Sequence, residues 1–191
     1  KRCPAIDVEC KDIFSTPQNA AMVQREIDVG FLRPPIDQVN LRCELLFEER
    51  FLVILPKGHR LAKRKSLRLK DVAEETLIIF DRNFSSGLYD KILGLFRRQG
   101  LTPHLSVSHV EAHEEAGAIM VASGKAIFIG AGAMVNRSVS GIDLASARLS
   151  DPEAKIEVYM AWRKDEESPA VFAFLDSVHR TLKPPKYADI T

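Results

Sequence analysis

Short runs of apolar, often branched residues alternate with longer helical patterns along the chain, which restricts it to an α/β fold with mostly parallel strands. The runs Ile6–Cys10, Asp28–Leu32, Leu41–Phe47, Phe51–Leu55, Leu77–Phe80, Leu105–Val110, Ala126–Ile129 and Glu157–Trp162 read as strands. Several are uninterrupted apolar stretches, the pattern of strands covered on both faces. Between them the helices are punctuated. Ser15-Thr16-Pro17 offers an N-cap hydroxyl followed by proline at the first helical position. Ser85 or Ser86 caps the next helix, with Leu88, Ile92, Leu95 and Phe96 as its apolar face and Gly100 and Pro103 as its end. A third helix spans Glu111 to Ser123, with Ala116, Ile119 and Met120 inward and Gly124 as its stop. The last starts at Ser168-Pro169 and sets Phe172, Leu175, Val178, His179 and Leu182 on one stripe before Pro184-Pro185.

A length of 191 residues suits one large domain or two small lobes. The net charge of +1 provides no overall electrostatic footprint for nucleic acid. The basic run from His59 to Lys65 reads as a solvated loop. Cys3, Cys10 and Cys43 are odd in number and lack the spacing of a zinc site, so they read as reduced thiols of a cytoplasmic protein. The longest apolar run, Phe51 to Leu55, is too short to span a membrane, and no signal peptide opens the chain.

No catalytic constellation emerges. The chain has no GxSxG elbow, no HExxH pair and no phosphate loop or GxGxxG turn between a strand and a helix. Gly130-Ala131-Gly132 reads as a tight turn. His109 and His113 lack a third ligand and read as exposed or capping residues, so neither metal nor cofactor is expected. Two strand-to-helix junctions remain. Phe14-Ser15-Thr16-Pro17-Gln18 follows the first strand, and Asp81-Arg82-Asn83-Phe84-Ser85-Ser86 follows Leu77–Phe80. In open α/β sheets ligands lie beyond the carboxyl ends of strands, where helix N-termini favour anions. Simple capping accounts for Thr16 and Ser85 by themselves. It explains less well why Arg33, Arg82 and Phe84 also fall just past strand ends.

The run Gln24-Arg25-Glu26-Ile27-Asp28-Val29-Gly30-Phe31-Leu32-Arg33-Pro34-Pro35 resembles a signature of LysR-type bacterial transcription regulators. So do Leu46-Phe47-Glu48-Glu49, Val53-Ile54-Leu55-Pro56, Gly58-His59-Arg60-Leu61-Ala62, Leu69-Lys70-Asp71-Val72, Val121-Ala122-Ser123-Gly124 and Tyr159-Met160-Ala161-Trp162-Arg163-Lys164-Asp165. They arrive in family order over nearly the whole chain. The resemblance implies a fold like that of type 2 periplasmic binding proteins, with two Rossmann-like lobes joined by two crossovers near Glu49 and Ile156. Lobe I would be residues 1–48 and 157–191, and lobe II residues 49–156. It also implies an effector-binding cleft at Ser15, Thr16, Arg33, Asn83 and Phe84, with Arg33 and Glu49 as a cleft ion pair. That pair, and the wording Phe31-Leu32-Arg33-Pro34-Pro35, resemble regulators of aromatic-compound degradation.

The family's winged helix-turn-helix, the first strand of lobe I and most of its first helix have no counterpart in the sequence. The expectation is an N-terminally truncated domain that senses a small, anionic, aromatic or unsaturated effector. It would reach DNA only through the missing region and assemble as a homodimer or homotetramer. A solute-binding protein of a transport system is the alternative, and an enzyme on the same fold is a third reading.

Overall fold

In a computed structural model the described residues are 6–79, 81–106, 114–132 and 143–182, with only the backbone of 114–116. The chain divides into two compact units, Lys1–Phe47 with Glu157–Thr191, and Glu48–Ile156.

The first unit is built on α1 (Ser15–Val23), β1 (Val29–Leu32), the first half of β2 (Leu41–Pro56) and most of β8 (Lys155–Arg163). Its last helix is α5 (Pro169–Thr181). β1 runs antiparallel to β8, pairing Val29 with Trp162 and Leu32 with Tyr159. The period of two along β8 decides which layer each residue serves. Met160 and Trp162 pack with Val171, Leu175 and Val178 of α5. Ala161, between them, packs instead with Met22, Leu32 and Leu41. Arg163, two residues on, serves the α1 side as well, donating to the Met22 and Ile27 carbonyls at 3.1 and 2.9 Å. Gly30 permits the close approach of α1, because a Cβ there would lie 2.7 Å from Gln18 Oε1 and 3.0 Å from the Met22 sulfur.

The second unit contains β3 (Ser66–Leu67), α2 (Leu69–Val72), β4 (Thr76–Ile78), α3 (Ser86–Arg98), β5 (His104–Leu105), α4 (Glu114–Ala122), β6 (Ile127–Ala131) and β7 (Leu144–Leu149). Every residue from Phe51 to Leu55 is buried, because this half of β2 is flanked by β6 on one edge and β7 on the other. Both of those pairings are antiparallel. β4 lies parallel to β6 and β5, and β3 parallel to β7. The α/β class therefore holds, with sheets that mix parallel and antiparallel pairs where the sequence suggested mostly parallel ones.

Several expectations need correction. Ile6–Cys10 is not a strand: residues 6–14 carry no regular structure and 7–10 are exposed. A strand needs a ladder partner, and none is assigned to this segment among the described residues. Leu41–Phe47 and Phe51–Leu55 are one continuous strand. Gly130 and Ala131 belong to β6 and not to a turn; the missing Cβ of Gly130 makes room for the Phe128 ring. β7 was not anticipated, since its Leu-Ala-Ser-Ala-Arg-Leu run is poor in β-formers.

In α4 Gly117, Ala118 and Val121 are buried, whereas Ile119 is exposed. Along α5, Val171 joins Leu175 and Val178 in the core, while Phe172 and Leu182 are exposed. His179 faces Glu44 at 2.6 Å. The α3 stripe of Leu88, Ile92, Leu95 and Phe96 is buried as expected, and Gly100 adopts φ +69° beyond its end. The histidines at 109 and 113, Cys3 and Pro184-Pro185 lie outside the described residues.

Candidate functional site

The first candidate half-site is the start of α1. The N-cap position belongs to Phe14, so Ser15 is the first helical residue and Pro17 the third. This corrects the capping role expected of Ser15-Thr16. The buried Ser15 hydroxyl turns away from the helix and accepts the Arg33 main-chain N–H at 3.1 Å. One turn on, Gln18 Nε2 donates to the carbonyls of Ile13 (2.6 Å) and Phe31 (3.2 Å). Asn19 Nδ2 donates to Pro35 O at 3.2 Å, and its Oδ1 accepts Asp37 N–H at 2.8 Å. Positions i, i+3 and i+4 share one helix face, so Ser15, Gln18 and Asn19 together fasten the loop after β1, with its cis Pro34-Pro35 bond, onto α1. Sequence reading found Ser15 and Arg33 but missed Gln18 and Asn19. The only available signal was their spacing from Ser15.

Asp37 closes that loop. Its carboxylate accepts from Asn40 Nδ2 (2.7 Å) and from the Val39 and Asn40 main-chain N–H groups. The side-chain bond from Asn40 holds it below the usual carboxylate range, against a smaller opposing effect of burial.

Arg163 fixes the other end of α1. Besides the Met22 and Ile27 carbonyls, it binds Asp28 at 3.0 Å and the buried Glu166. Burial works against its charge, but the Asp28 and Glu166 carboxylates outweigh it and raise its pKa. Glu166 in turn accepts Ser168 N–H at 3.0 Å, at the start of α5.

The second candidate half-site leads into α3. Asp81 organises it: its side chain accepts Asn83 N–H at 2.7 Å and its carbonyl accepts Phe84 N–H at 3.1 Å. Asn83 is exposed and Phe84 half-buried. Arg82 forms two 2.9 Å bonds with Asp90 along the helix. The Arg82 bond holds the Asp90 carboxyl below its usual range. Ser85 occupies the N-cap position, buried, without a side-chain capping bond.

The basic run after Pro56 is docked, not merely solvated. Glu75 accepts from Arg60 at 2.7 Å and lies 3.3 Å from His59, Arg64 meets Asp71 at 3.2 Å, and Leu61 is buried. Two motifs separate in sequence, Gly58–Ala62 and Leu69–Val72, are thereby one structural unit. A cavity of about 360 Å³ lies at the end of α3, but its polar lining is bonded to itself, Arg98 to Glu153 and Gln99 to Asp151, both within 2.9 Å. No helix among the described residues is long and apolar enough to cross a membrane.

The model of the LysR substrate binding domain matches residues 1–183. The uncharacterized HTH-type transcriptional regulator YnfL of Escherichia coli K12 is 27% identical over 90% of this chain and 57% of its own length. The HTH-type transcriptional regulator BenM of Acinetobacter baylyi is 25% identical over 93% of the chain and 58% of its own length. The chain thus spans under two thirds of the length of these relatives. Among solved structures, the BenM effector binding domain with its effector benzoate superposes with a TM-score of 0.69 at 21% identity, covering 100% of this chain and 87% of that one. The effector binding domain of QuiR in complex with shikimate gives 0.75 at 22% identity, covering 89% and 78%. At such identities these two show a common fold.

Proposed function

The chain belongs to the LysR substrate binding domain family, and on that premise we propose that it is the effector-sensing domain of a bacterial transcription regulator. It binds a small organic anion, with aromatic acids the first class to test. The observation that carries this reading is the family match running through both units, one with a polar helix start at Ser15-Thr16 and the other with a polar strand-to-helix junction at Asp81–Ser86. Benzoate and shikimate, held by two proteins of the same fold, are carboxylates of the expected size.

In this reading Ser15, Thr16 and Arg33 of one unit and Asn83 and Phe84 of the other form the effector site, with Arg33 and Glu49 as its ion pair. Arg33 is half-buried, and a charge held partly out of water gains from a partner whether or not ligand is present. Effector changes transcription only by binding one arrangement of the regulator more tightly than another. The domain works in the cytoplasm as a homodimer or homotetramer, contacts DNA through a helix-turn-helix elsewhere in the regulator, and is a sensor and not an enzyme. The relatives named as regulators weigh against the transport reading. Light scattering at micromolar concentration is expected to show more than one chain per particle.

Titration calorimetry against benzoates, muconate-like diacids and aliphatic acids tests the site. Thr16→Ala should weaken binding by about 0.5–1.5 kcal/mol through one lost hydrogen bond. Phe84→Ala should cost roughly 2 kcal/mol through lost apolar burial. A bound acid indifferent to both substitutions would remove these residues from the site. Failure of every acid to bind would remove the effector class.

A further inference from the structure

The basic run after Pro56 carries more charge than its own ion pairs use. Between Lys57 and Lys70 the sequence holds seven lysines and arginines and no carboxylate. Acids from elsewhere reach three of them: Asp143 meets Lys57, Glu75 meets Arg60 and Asp71 meets Arg64. Lys63, Lys65, Arg68 and Lys70 remain, all exposed, with no carboxylate at ion-pair distance among the described residues. The nearest acids are engaged. Asp71 also accepts Arg68 N–H at 2.8 Å, and Asp151 accepts Leu69 N–H at 2.9 Å and Gln99 Nε2 at 2.8 Å. Nor do the four cations ride on a loose loop. Leu61, Leu67 and Leu69 are buried between them, and β3 is paired in parallel with β7. Arg68 continues the extended backbone of β3 (φ −104°, ψ 158°), so Ser66 and Arg68 share the outward face opposite Leu67. Arg148 stands across from Ser66 in the ladder, on that same face.

A cation cluster fixed by packing raises the local positive potential, despite a net charge of only +1 for the chain. Its chemistry separates the possible partners. A protein interface needs apolar or aromatic anchors at its centre. The large apolar side chains exposed among the described residues, from Val8 to Leu182, all lie outside 57–72. A phosphate backbone needs no such anchor, only cations to displace its counterions. On the regulator reading above, on which this inference rests, the domain works beside a DNA duplex. We propose that the face bearing Lys63, Lys65, Arg68, Lys70 and Arg148 is a sequence-independent contact for the phosphate backbone of that duplex. It supplements the helix-turn-helix, reads no bases, and holds the effector domain against the DNA.

The test is the fluorescence anisotropy of a labelled random-sequence duplex, titrated with the chain over a series of salt concentrations. Four to five phosphate contacts predict an affinity that falls roughly 100- to 500-fold between about 50 and 200 mM salt. Lys63→Gln combined with Lys65→Gln should make the log–log salt slope shallower by about two. The melting temperature should not move, since neither side chain makes a hydrogen bond or ion pair among the described residues. Lys125→Gln combined with Arg180→Gln, an equal change of charge at exposed positions elsewhere, should leave the slope as it is. Equal losses in the two double variants would assign binding to overall charge and overturn the proposal. Failure to bind the duplex even at low salt would overturn it too, and binding of polyglutamate in its place would make the partner an acidic protein. Titration with benzoates reads the sensor function separately. Duplex binding by a chain that takes no acid leaves this surface standing without the sensor, and the reverse result leaves the sensor without the surface.

Discussion

The Ser15 hydroxyl accepts the main-chain N–H of Arg33 across 3.1 Å, joining the first residue of α1 to the residue that follows β1. Ser15→Ala leaves that N–H without its acceptor in a part-buried setting, a loss of about 1–2 kcal/mol. Urea denaturation would measure it. A variant as stable as the wild type would show that the loop after β1 is held by Gln18 and Asn19 alone.

Arg163 serves two carbonyls and two carboxylates of the first unit. Arg163→Met strands the buried Glu166 carboxylate and frees the end of α1, a cost of roughly 3–5 kcal/mol. Arg163→Lys retains the charge but not the fork that reaches four acceptors, and should recover only part of that loss. Equal midpoints for Lys and Arg in chemical denaturation would contradict the role given to the fork.

The two strand glycines should not be equally tolerant. At Gly30 an added methyl meets the flexible ends of Gln18 and Met22, at 2.7 and 3.0 Å. At Gly130 it meets the stiff, buried Phe128 ring at 2.5 and 2.9 Å. Overpacking of this kind costs about 1–3 kcal/mol. Gly130→Ala is expected at the upper end and Gly30→Ala at the lower, so the order of their thermal midpoints is the measurement.

Asp71 gives a pH dependence of known sign. The Arg68 main-chain N–H, bonded at 2.8 Å, holds its carboxyl below 3.8, with burial opposing and Arg64 assisting. A carboxyl depressed in the folded state stabilises above its unfolded value and loses that stability as pH falls through the folded one. The contribution is therefore full above about pH 4 and disappears under more acidic conditions. Asp71→Asn should lower stability by roughly 1 kcal/mol at neutral pH, the scale of a helix cap, and the gap to wild type should close as the pH is taken below 3.8. A gap that stays constant down to pH 2 would mean that the carboxylate charge is irrelevant to the cap.

The α/β class, the burial of Phe51–Leu55 and the four-residue face of α3 were all legible, because each depends on hydrophobic period and local punctuation. So was the family, through motifs in order along the chain. Burial within α4 and α5 was only partly legible: Ala118, Val121 and Val171 are buried, while Ile119 and Phe172, placed inward by the stripe read from the sequence, are exposed. A helix can be rotated by a fraction of a turn without changing its pattern, and its neighbours choose among those rotations.

The residues of both junctions were visible in the sequence, but their roles were not. Ser15 and Ser85 both precede good helical stretches, and local spacing treats them alike. Tertiary structure separated them by bringing the Arg33 N–H, eighteen residues away, onto the Ser15 hydroxyl, while Ser85 stands at its N-cap without a side-chain capping bond. It also revealed Gln18 and Asn19 as clamps and Arg163 as an anchor, since each acts on atoms remote in sequence. A hydrogen bond exists only once both of its atoms have been placed, so sequence determined which groups were available, and packing decided which of them were already spent.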